Sequence, residues 1–190
     1  MTQILISVGL LIFLLLILFY EIIIIVYVVV EIKNKVPFVP TPRPVLREIS
    51  KAMNLKKDSV VYDLGCGNGK ILFYLFKNNS NIKCIGLENN PYPLFLVRSR
   101  LFFSGKEQKK SIKIINNNFF KQDLRDATHV FTYLSSGLMD KLLPKFEKEL
   151  APGTRLVSLS FSFENKKPIE KIDLKRSKYK LGRELYIYQF

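Results

Sequence analysis

Residues 4–30 form an almost unbroken apolar run, interrupted only by Ser7, Gly9 and Glu21. As a helix this run would be about 40 Å long, which exceeds the roughly 30 Å hydrocarbon core of a bilayer. A cleaved signal peptide fits less well, because no basic segment precedes the run and no small-residue cleavage site follows it. The pattern predicts that residues 1–31 are a membrane anchor with a single transmembrane helix.

The charged residues that flank this anchor predict its orientation in the membrane. No Lys or Arg precedes Lys33, whereas five basic residues lie between positions 33 and 51. Because basic flanks stay on the cytoplasmic side, we expect a single-pass membrane protein with its N-terminus outside and its larger part cytoplasmic. Glu21 is costly at membrane depth. It lies near the interface, begins a continuation of the helix along the membrane surface, or has a functional partner.

Prolines dominate the segment after the anchor. Four of them occur between positions 37 and 44, which excludes a helix there and favours extended, stiff backbone. A short helix with one apolar face is predicted over 45–55. We therefore expect residues 32–57 to be a proline-rich linker followed by a short helix.

From residue 58 onward, apolar strand-like runs alternate with segments of helical periodicity. This alternation predicts an α/β domain over residues 58–190, with a mostly parallel sheet and a C-terminal antiparallel hairpin. The loop at 164–167 leaves no room for a helix before that hairpin. The expected strands are 59–64, 82–87, 111–115, 128–134, 155–163, 169–175 and 184–190, and the expected helices are 70–77, 91–103 and 138–150.

The charge is distributed unevenly between these parts. All 30 Lys and Arg, and all but two of the 16 Asp and Glu, lie after residue 31, so residues 32–190 carry a net charge of +16. Such a charge suits nucleic acid or an anionic membrane surface. Attraction to a membrane is the simpler interpretation, because the lysines are spread along the chain and no RNA-binding module is evident.

One glycine-rich turn carries the chemical signal. Asp63 ends the first predicted strand, and Gly65, Gly67 and Gly69 follow it directly before a helix. Glycines at such a turn permit unusual backbone angles and let a ligand approach closely. The three-residue gap between the outer glycines and the lack of Ser or Thr after the lysine exclude a phosphate-binding P-loop. The spacing also departs from the G-x-G-x-x-G dinucleotide fingerprint.

The run Asp63-x-Gly65-x-Gly67-x-Gly69 resembles motif I of class I S-adenosylmethionine (SAM) methyltransferases. The resemblance implies a Rossmann-like sheet and SAM as the cofactor, with the glycines lining it and Asp63 acting indirectly at its amino group. Glu88, which follows the second predicted strand, would accept hydrogen bonds from both ribose hydroxyls.

Further positions extend this resemblance. Asn118 stands where the family usually places an acid that contacts adenine, and its amide can still bond the adenine amino group. Phe119 belongs to the same expected cofactor site. The run Leu-Ala-Pro-Gly-Thr at 150–154 is similar to the family's turn before the fifth strand, with Thr154 replacing a second glycine.

A narrower group is also similar. The prolines at 37–42, the single N-terminal span, the missing last helix and the run Glu-Asn-Asn-Pro-Tyr at 88–92 resemble membrane-anchored protein-lysine methyltransferases. These include enzymes that modify the ATP synthase c subunit and the adenine nucleotide translocase. The resemblance implies that Pro40 and Thr41 lie over the cofactor, and that the substrate is a membrane or membrane-proximal protein.

Tyr133 is the candidate catalytic residue, because it lies at the end of the fourth predicted strand, where it can orient an amine or line its channel. A packing role is an equally open alternative. His129 is expected to be structural, and Cys66 and Cys84 have no partner at metal-ligand spacing, so no metal is expected.

Taken together, these features predict a membrane-anchored SAM-dependent methyltransferase, in the first place a protein-lysine N-methyltransferase. The alternatives are methylation of a lipid head group or RNA, and a SAM-binding membrane module without turnover.

Overall fold

The structure, a computed structural model, describes residues 2–33, 39–79, 81–174 and 182–190. The chain comprises two units, Met1–Pro37 and Phe38–Phe190. Residues 34–38 of the expected linker, and residues 175–181 at the turn of the expected C-terminal hairpin, lie outside the described residues.

The first unit contains one helix, α1 (Thr2–Lys33). Its stretch Ile6–Val26 has a mean hydropathy of 3.0 and is long and apolar enough to cross a bilayer. Glu21 lies inside this stretch, and the helix continues through it without a break. Apolar side chains are exposed on every side of the helix, so it has no single apolar face to bury against protein.

The second unit begins with a 3₁₀ turn (Arg43–Val45) and then alternates helices with strands. The helices are α2 (Leu46–Met53), α3 (Lys70–Asn78), α4 (Pro91–Phe102), α5 (Lys106–Ser111) and α6 (Ser136–Glu149). The strands are β1 (Val60–Leu64), β2 (Lys83–Leu87), β3 (Ile112–Ile115), β4 (His129–Thr132), β5 (Arg155–Leu159), β6 (Glu170–Asp173) and β7 (Glu184–Gln189).

These strands form one seven-stranded sheet in the order β3-β2-β1-β4-β5-β7-β6. The first five are parallel, and β7 lies antiparallel between β5 and β6. This confirms the predicted mostly parallel α/β sheet with a C-terminal antiparallel pair. The strand order reverses between β1 and β4, so the carboxyl ends of these strands flank the crevice where ligands bind in such sheets.

Two elements differ from the sequence-based expectation. The helix α5 was not predicted; it is short and polar. Gly105 before it has no side chain to cap the helix, and its amide donates to the Gln108 side-chain oxygen at 2.7 Å. The strand β5 ends at Leu159 rather than continuing to 163, because Ser160 adopts a left-handed backbone (φ +69°). The Ser160 amide donates to the Glu184 carbonyl at 2.8 Å, which ties this turn to β7.

The second unit has a hydrophobic core of its own. The buried apolar residues among those described run from Val45 to Tyr188, and none lies in α1. The helix α2 belongs to this core, since Ile49 and Met53 are fully buried. The Arg155 Nε donates to the Ala52 carbonyl at 2.7 Å, so the end of α2 is fixed to β5. The carboxyl edge of the sheet therefore belongs to a unit with its own core.

Gly86 tests the tight packing of β2 against α3. A Cβ at this position would lie 2.6 Å from Leu72 Cδ1 and 2.7 Å from Cys66 Sγ. We expect Gly86→Ala to lower the free energy of unfolding of the second unit by about 1–3 kcal/mol through overpacking, as measured by urea denaturation.

Gly137, in α6, provides the matched control for this substitution. A Cβ there meets no atom within 4 Å. Gly137→Ala should raise the free energy of unfolding by about 0.5–1 kcal/mol, because alanine favours helix. Equal effects of the two substitutions would show that the packing around Gly86 is looser than described.

Candidate active site

The glycine turn joins β1 to α3 at the carboxyl edge of the sheet. Gly65, Gly67 and Gly69 all have left-handed backbone, with φ of +78°, +56° and +72°. A Cβ on Gly69 would also lie 2.5 Å from Val97 Cγ2, so only glycine lets α4 approach this closely. A Cβ on Gly65 would meet Leu134 Cδ2 at 3.4 Å, which places the segment after β4 against the same turn.

Glu88 holds this turn to the end of β2. One carboxylate oxygen accepts a hydrogen bond from the Gly67 amide at 2.9 Å, and the other accepts from the amides of Asn89 and Asn90 at 3.0 and 2.8 Å. Only 8% of Glu88 is exposed. A carboxylate has about four acceptor positions, so three of them serve the protein's own backbone here. Glu88 is thus both a candidate ribose ligand and a structural support.

Asp63 lies beside Glu88, at the end of the neighbouring strand. It is almost fully buried, and its register partner on β2 is Gly86. Burial, followed by repulsion from the Glu88 carboxylate, raises the pKa of Asp63 from 3.8 to about 8. Burial also raises the pKa of Glu88, against the opposing effect of its backbone hydrogen bonds. Within the described ranges no salt bridge reaches either acid.

Thr41 is drawn to the same end of the sheet. Its carbonyl accepts a hydrogen bond of 2.6 Å from the Lys70 Nζ, and the residue is buried. Lys70 is the first residue of α3, directly after the glycine turn. Burial, followed by repulsion from Arg43 and Arg100, lowers the pKa of Lys70. The structure therefore brings Thr41 next to the expected cofactor turn, whereas Pro40 is exposed.

Asn118 and Phe119 follow β3, on the far side of β2 from the glycine turn. The Asn118 side-chain oxygen accepts a hydrogen bond from the Phe120 amide at 2.9 Å, which shapes the local turn. Asn118 is exposed, and the rings of Phe119 and Phe120 lie 5.0 Å apart. The Glu88 amide donates to the Ile115 carbonyl at 3.2 Å, so the ends of β2 and β3 are held side by side.

Two hydroxyls at the end of β4 are buried without a partner. Neither Thr132 Oγ1 nor Tyr133 Oη makes a hydrogen bond to any described residue. Burial raises the pKa of Tyr133, and an interaction with the Ser160 side chain opposes this rise. The two side chains do not meet the distance and angle of a hydrogen bond. The Tyr133 ring packs against Phe161 at 6.2 Å. Unpaired buried hydroxyls are costly, so this edge suits a polar ligand.

Thr132 was missed in the sequence analysis. It is completely buried at the end of β4, after the apolar Val130 and Phe131, and lies beside Ser158 of β5 in the sheet register. The signal was a hydroxyl residue at the carboxyl end of a buried strand, next to the already chosen Tyr133.

Neither His129 nor the two cysteines fits a chemical role, although Cys66 belongs to the glycine turn. His129 opens β4 at the opposite edge of the sheet, and its Nδ1 lies 2.8 Å from the Thr128 hydroxyl. Burial, followed by repulsion from Arg155 and Lys56, lowers its pKa to about 4. Cys66 and Cys84 are buried thiols, and burial raises their pKa values. In the described part of the chain no group of three potential metal ligands occurs.

Comparisons with known proteins decide the family. The model of the ANTKMT methyltransferase domain matches residues 63–170, more than half of the chain. A protein-lysine N-methyltransferase of Saccharolobus islandicus (strain REY15A) is 35% identical over 153 residues, which cover 80% of this chain and 92% of that protein. The chain belongs to the ANTKMT methyltransferase domain family.

Solved structures agree with this assignment. An RNA methyltransferase from Salinibacter ruber, in complex with S-adenosylhomocysteine, is 27% identical, with a TM-score of 0.70 over 80% of this chain and 93% of that one. A precorrin-6y C5,15-methyltransferase from Geobacter metallireducens has a TM-score of 0.59 over 81% of this chain and 92% of that one, at 16% identity, and shows the fold alone. This ANTKMT-family chain is a class I methyltransferase, an enzyme whose cofactor is SAM.

The residues of the ANTKMT-family domain fit this cofactor. The glycine turn presents backbone without side chains at the switch point of the sheet. Asp63 and Glu88 form a buried acidic pair inside a strongly basic domain, and SAM carries a sulfonium and an ammonium group. Two acids without a salt-bridge partner, together with two unpaired hydroxyls, suit a ligand that is cationic and polar.

The pH dependence of the free energy of unfolding should reveal the raised pKa of Asp63. The folded domain keeps a proton on this acid up to about pH 8, whereas the unfolded chain releases it near pH 4. Folding therefore binds a proton in this window, and the ligand-free domain should lose stability as pH rises from about 4 to 8, by up to about 1.4 kcal/mol per pH unit. Asp63→Asn should flatten the slope in urea denaturation.

Asp123→Asn is the matched control for this measurement. Hydrogen bonds from Arg125 lower the pKa of the exposed Asp123 to about 2. That acid is therefore ionised in both states above pH 5, and its substitution should leave the slope between pH 5 and 8 unchanged. A wild-type slope identical to that of the Asp63→Asn variant would contradict the raised pKa.

Glu88 should affect both SAM binding and folding. Glu88→Ala should weaken SAM binding by about 2–3 kcal/mol, or about 30- to 150-fold, the scale of hydrogen bonds to a charged group. It should also lower the free energy of unfolding, because the Gly67 and Asn90 amides lose their acceptor. Calorimetry with S-adenosylhomocysteine and urea denaturation measure the two effects. Glu107→Ala, an exposed acid on α5, is the control, and equal affinity of the two variants would remove Glu88 from the site.

Proposed function

We propose that this chain is a membrane-anchored protein-lysine N-methyltransferase that acts on a membrane or membrane-proximal protein. The proposal that the methyl acceptor is a protein lysine rests on the 35% identity to a protein-lysine N-methyltransferase across 92% of that protein's length. The unpaired hydroxyls at the end of β4 support it, because an amine needs polar partners to hold it in line with the methyl group.

Bound SAM supplies an electrophilic methyl group on a sulfonium sulfur, which an amine takes by in-line displacement. The chain's own contribution is to hold the two reactants and to favour the neutral amine. Aromatic and apolar surroundings, such as the rings of Tyr133 and Phe161, lower the pKa of an entering lysine. The lysine releases its proton to water before transfer, so a dedicated general base is not required.

Tyr133 acts in this proposal as a neutral hydroxyl. Because burial raises its pKa, the phenol stays protonated at physiological pH. It can accept a hydrogen bond from the amine N–H and so orient the nitrogen lone pair. The Thr132 hydroxyl can form a hydrogen bond with a second polar atom of the reactants at the end of β4. We assign the cofactor contacts to Thr41, Asp63, Gly65, Gly67, Gly69, Glu88, Asn118 and Phe119.

Membrane anchoring is the second part of the proposal. The apolar helix α1 is long enough to cross a bilayer, and the basic residues that follow it favour a cytoplasmic location for the catalytic domain. Anchoring confines enzyme and substrate to one surface, which raises the effective concentration of a membrane-proximal lysine. The residues 1–31 are assigned to the anchor, 32–57 to the linker and short helix, and 58–190 to the catalytic domain.

RNA is the second candidate acceptor. The 27% identical Salinibacter ruber protein is named an RNA methyltransferase, and residues 32–190 carry a net charge of +16. A lipid head group is a third acceptor that an anchored enzyme would meet. One labelling experiment distinguishes the three candidate acceptors, which are protein lysine, RNA and lipid.

In that experiment, the full-length chain and methyl-labelled SAM are added to membranes from cells lacking the protein. Protein, lipid and RNA are then separated. We expect the label in protein, as methyllysine after acid hydrolysis, and none with a Gly67→Val variant, in which a β-branched side chain occupies a left-handed turn position. Label confined to RNA or lipid would replace the lysine proposal.

The same assay tests the anchor. A chain lacking residues 1–31 should bind S-adenosylhomocysteine with nearly unchanged affinity, because the buried core lies in the second unit. It should methylate the membrane substrate far more slowly, while a soluble lysine peptide at high concentration is affected little. Equal rates on the membrane substrate would mean that anchoring plays no part in substrate choice.

A further inference from the structure

An exposed aromatic cluster on α4 has no role in the chemistry above. We define the aromatic cluster as Phe95, Phe102 and Phe103, which are 68%, 70% and 84% exposed. Phe95 and Phe102 are two helical turns apart, on the face of α4 opposite the buried Leu94 and Val97. Phe103 follows directly, and its ring meets Phe102 edge to face at 5.2 Å.

This concentration of exposed rings is unusual within the domain. Outside α1, the large apolar side chains exposed among the described residues number six, and three of them form the aromatic cluster. Of the others, Tyr92 also lies on α4, whereas Val39 and Ile169 lie elsewhere. Apolar side chains exposed singly need no explanation, but a cluster of phenylalanines on one face marks an interaction surface.

Basic side chains dominate the segment that carries these rings, since residues 98–110 contain five Lys or Arg and one acid, Glu107. Arg98 is exposed between Phe95 and Phe102, and Lys106 and Lys109 are exposed on the following helix α5. The Lys109 Nζ lies 5.4 Å from the centre of the Phe102 ring. Phenylalanine rings bordered by Lys and Arg match an anionic bilayer surface, where the rings enter the boundary of the acyl chains and the cations meet lipid phosphates.

The chain itself favours a bilayer over other partners. Its helix α1 is long and apolar enough to cross a membrane. Only nine residues separate Lys33 from Arg43, and that length of chain spans at most about 35 Å. A bilayer crossed by α1 is therefore always within reach of the domain, at an effective concentration that no soluble partner has.

We propose that the aromatic cluster and its basic border dock the catalytic domain onto the surface of an anionic bilayer. This inference rests on the proposed membrane anchoring. The helix α4 starts two residues after Asn89, at the catalytic edge, and runs about 18 Å to Phe102 at the opposite edge. Docking along this helix lays the side of the domain on the membrane, so the catalytic edge opens along the bilayer and receives lysines close to its surface.

The absence of tryptophan from the sequence gives a direct test. A single tryptophan is introduced as Phe102→Trp in the full-length chain, reconstituted into vesicles that contain anionic lipids brominated on their acyl chains. Ile169→Trp is the matched control, because Ile169 is 58% exposed and precedes β6 at the other end of the sheet. Both variants carry the same anchor, so any difference between them reports on the domain surface.

We expect Phe102→Trp to lose about half of its emission relative to vesicles without bromine, as a ring near the acyl boundary should. Ile169→Trp should lose little. No quenching of Phe102→Trp, or equal quenching of both variants, would overturn the proposal. Emission in lipid-free detergent that shifts to the blue with protein concentration would identify a second copy as the occupant, and would also overturn it.

Charge reversal tests the basic border. Lys109→Glu in the Phe102→Trp chain should reduce quenching in anionic vesicles, and added salt should do the same. Lys141→Glu, an exposed lysine on α6, makes the same charge change and should leave quenching intact. Equal effects of the two reversals would show that net charge, and not this surface, attracts the domain.

Methyl transfer to protein, measured in the same vesicles, separates this proposal from the proposed function. Lysine methylation without quenching of Phe102→Trp would refute docking and leave the enzyme assignment standing. Quenching without lysine methylation would support docking and refute the lysine acceptor.

Discussion

The catalytic edge depends on one buried carboxylate. Glu88 accepts backbone hydrogen bonds from the glycine turn after β1 and from the start of the turn that leads into α4. These two turns follow neighbouring strands. The amides of Gly65 and Cys66 also donate to the Leu87 carbonyl at 2.9 Å, and among the described side chains Glu88 is the one that hydrogen-bonds to both turns. The residue that we propose as the ribose ligand therefore also fixes the shape of the glycine turn. If Glu88 binds ribose as we propose, cofactor binding and folding cannot vary independently at this position, because both use the same two oxygens.

A local reversal of charge sets this edge apart from the rest of the domain. The chain outside α1 is strongly basic, yet its most buried ionisable groups at the sheet edge are the two acids Asp63 and Glu88. Their mutual repulsion and burial cost folding energy, which a cationic ligand relieves. In our proposal the basic exterior has a different role, attraction to an anionic bilayer surface, and burial separates the two acids from that exterior.

Much of this was predictable from the sequence, for reasons that differ between elements. The alternation of apolar strands with helices is a strong sequence signal, because both faces of a parallel sheet are covered and its strands are therefore apolar. The glycine spacing of motif I is a second signal, because it reflects left-handed backbone that other residues rarely adopt. The short helix α5 was not predicted, because Lys106–Ser111 has no apolar face. The end of β5 at Ser160 was also missed, since a serine gives no sign of left-handed backbone. Thr132 was overlooked because the lack of a hydrogen-bond partner for its hydroxyl depends on which residues surround it in the folded chain. The tie of Glu88 to Gly67 likewise depends on geometry that spacing alone does not give.

The bond between Lys70 and Thr41 has a mechanical consequence. Thr41 lies near the start of the second unit, and its carbonyl accepts a hydrogen bond from the first side chain of α3, immediately beyond Gly69. Because Lys70 directly follows Gly69, this bond couples the backbone at Thr41 to the glycine turn. A ligand that stiffens the glycine turn would therefore also restrain the chain at Thr41, ahead of the hydrophobic core that begins at Val45.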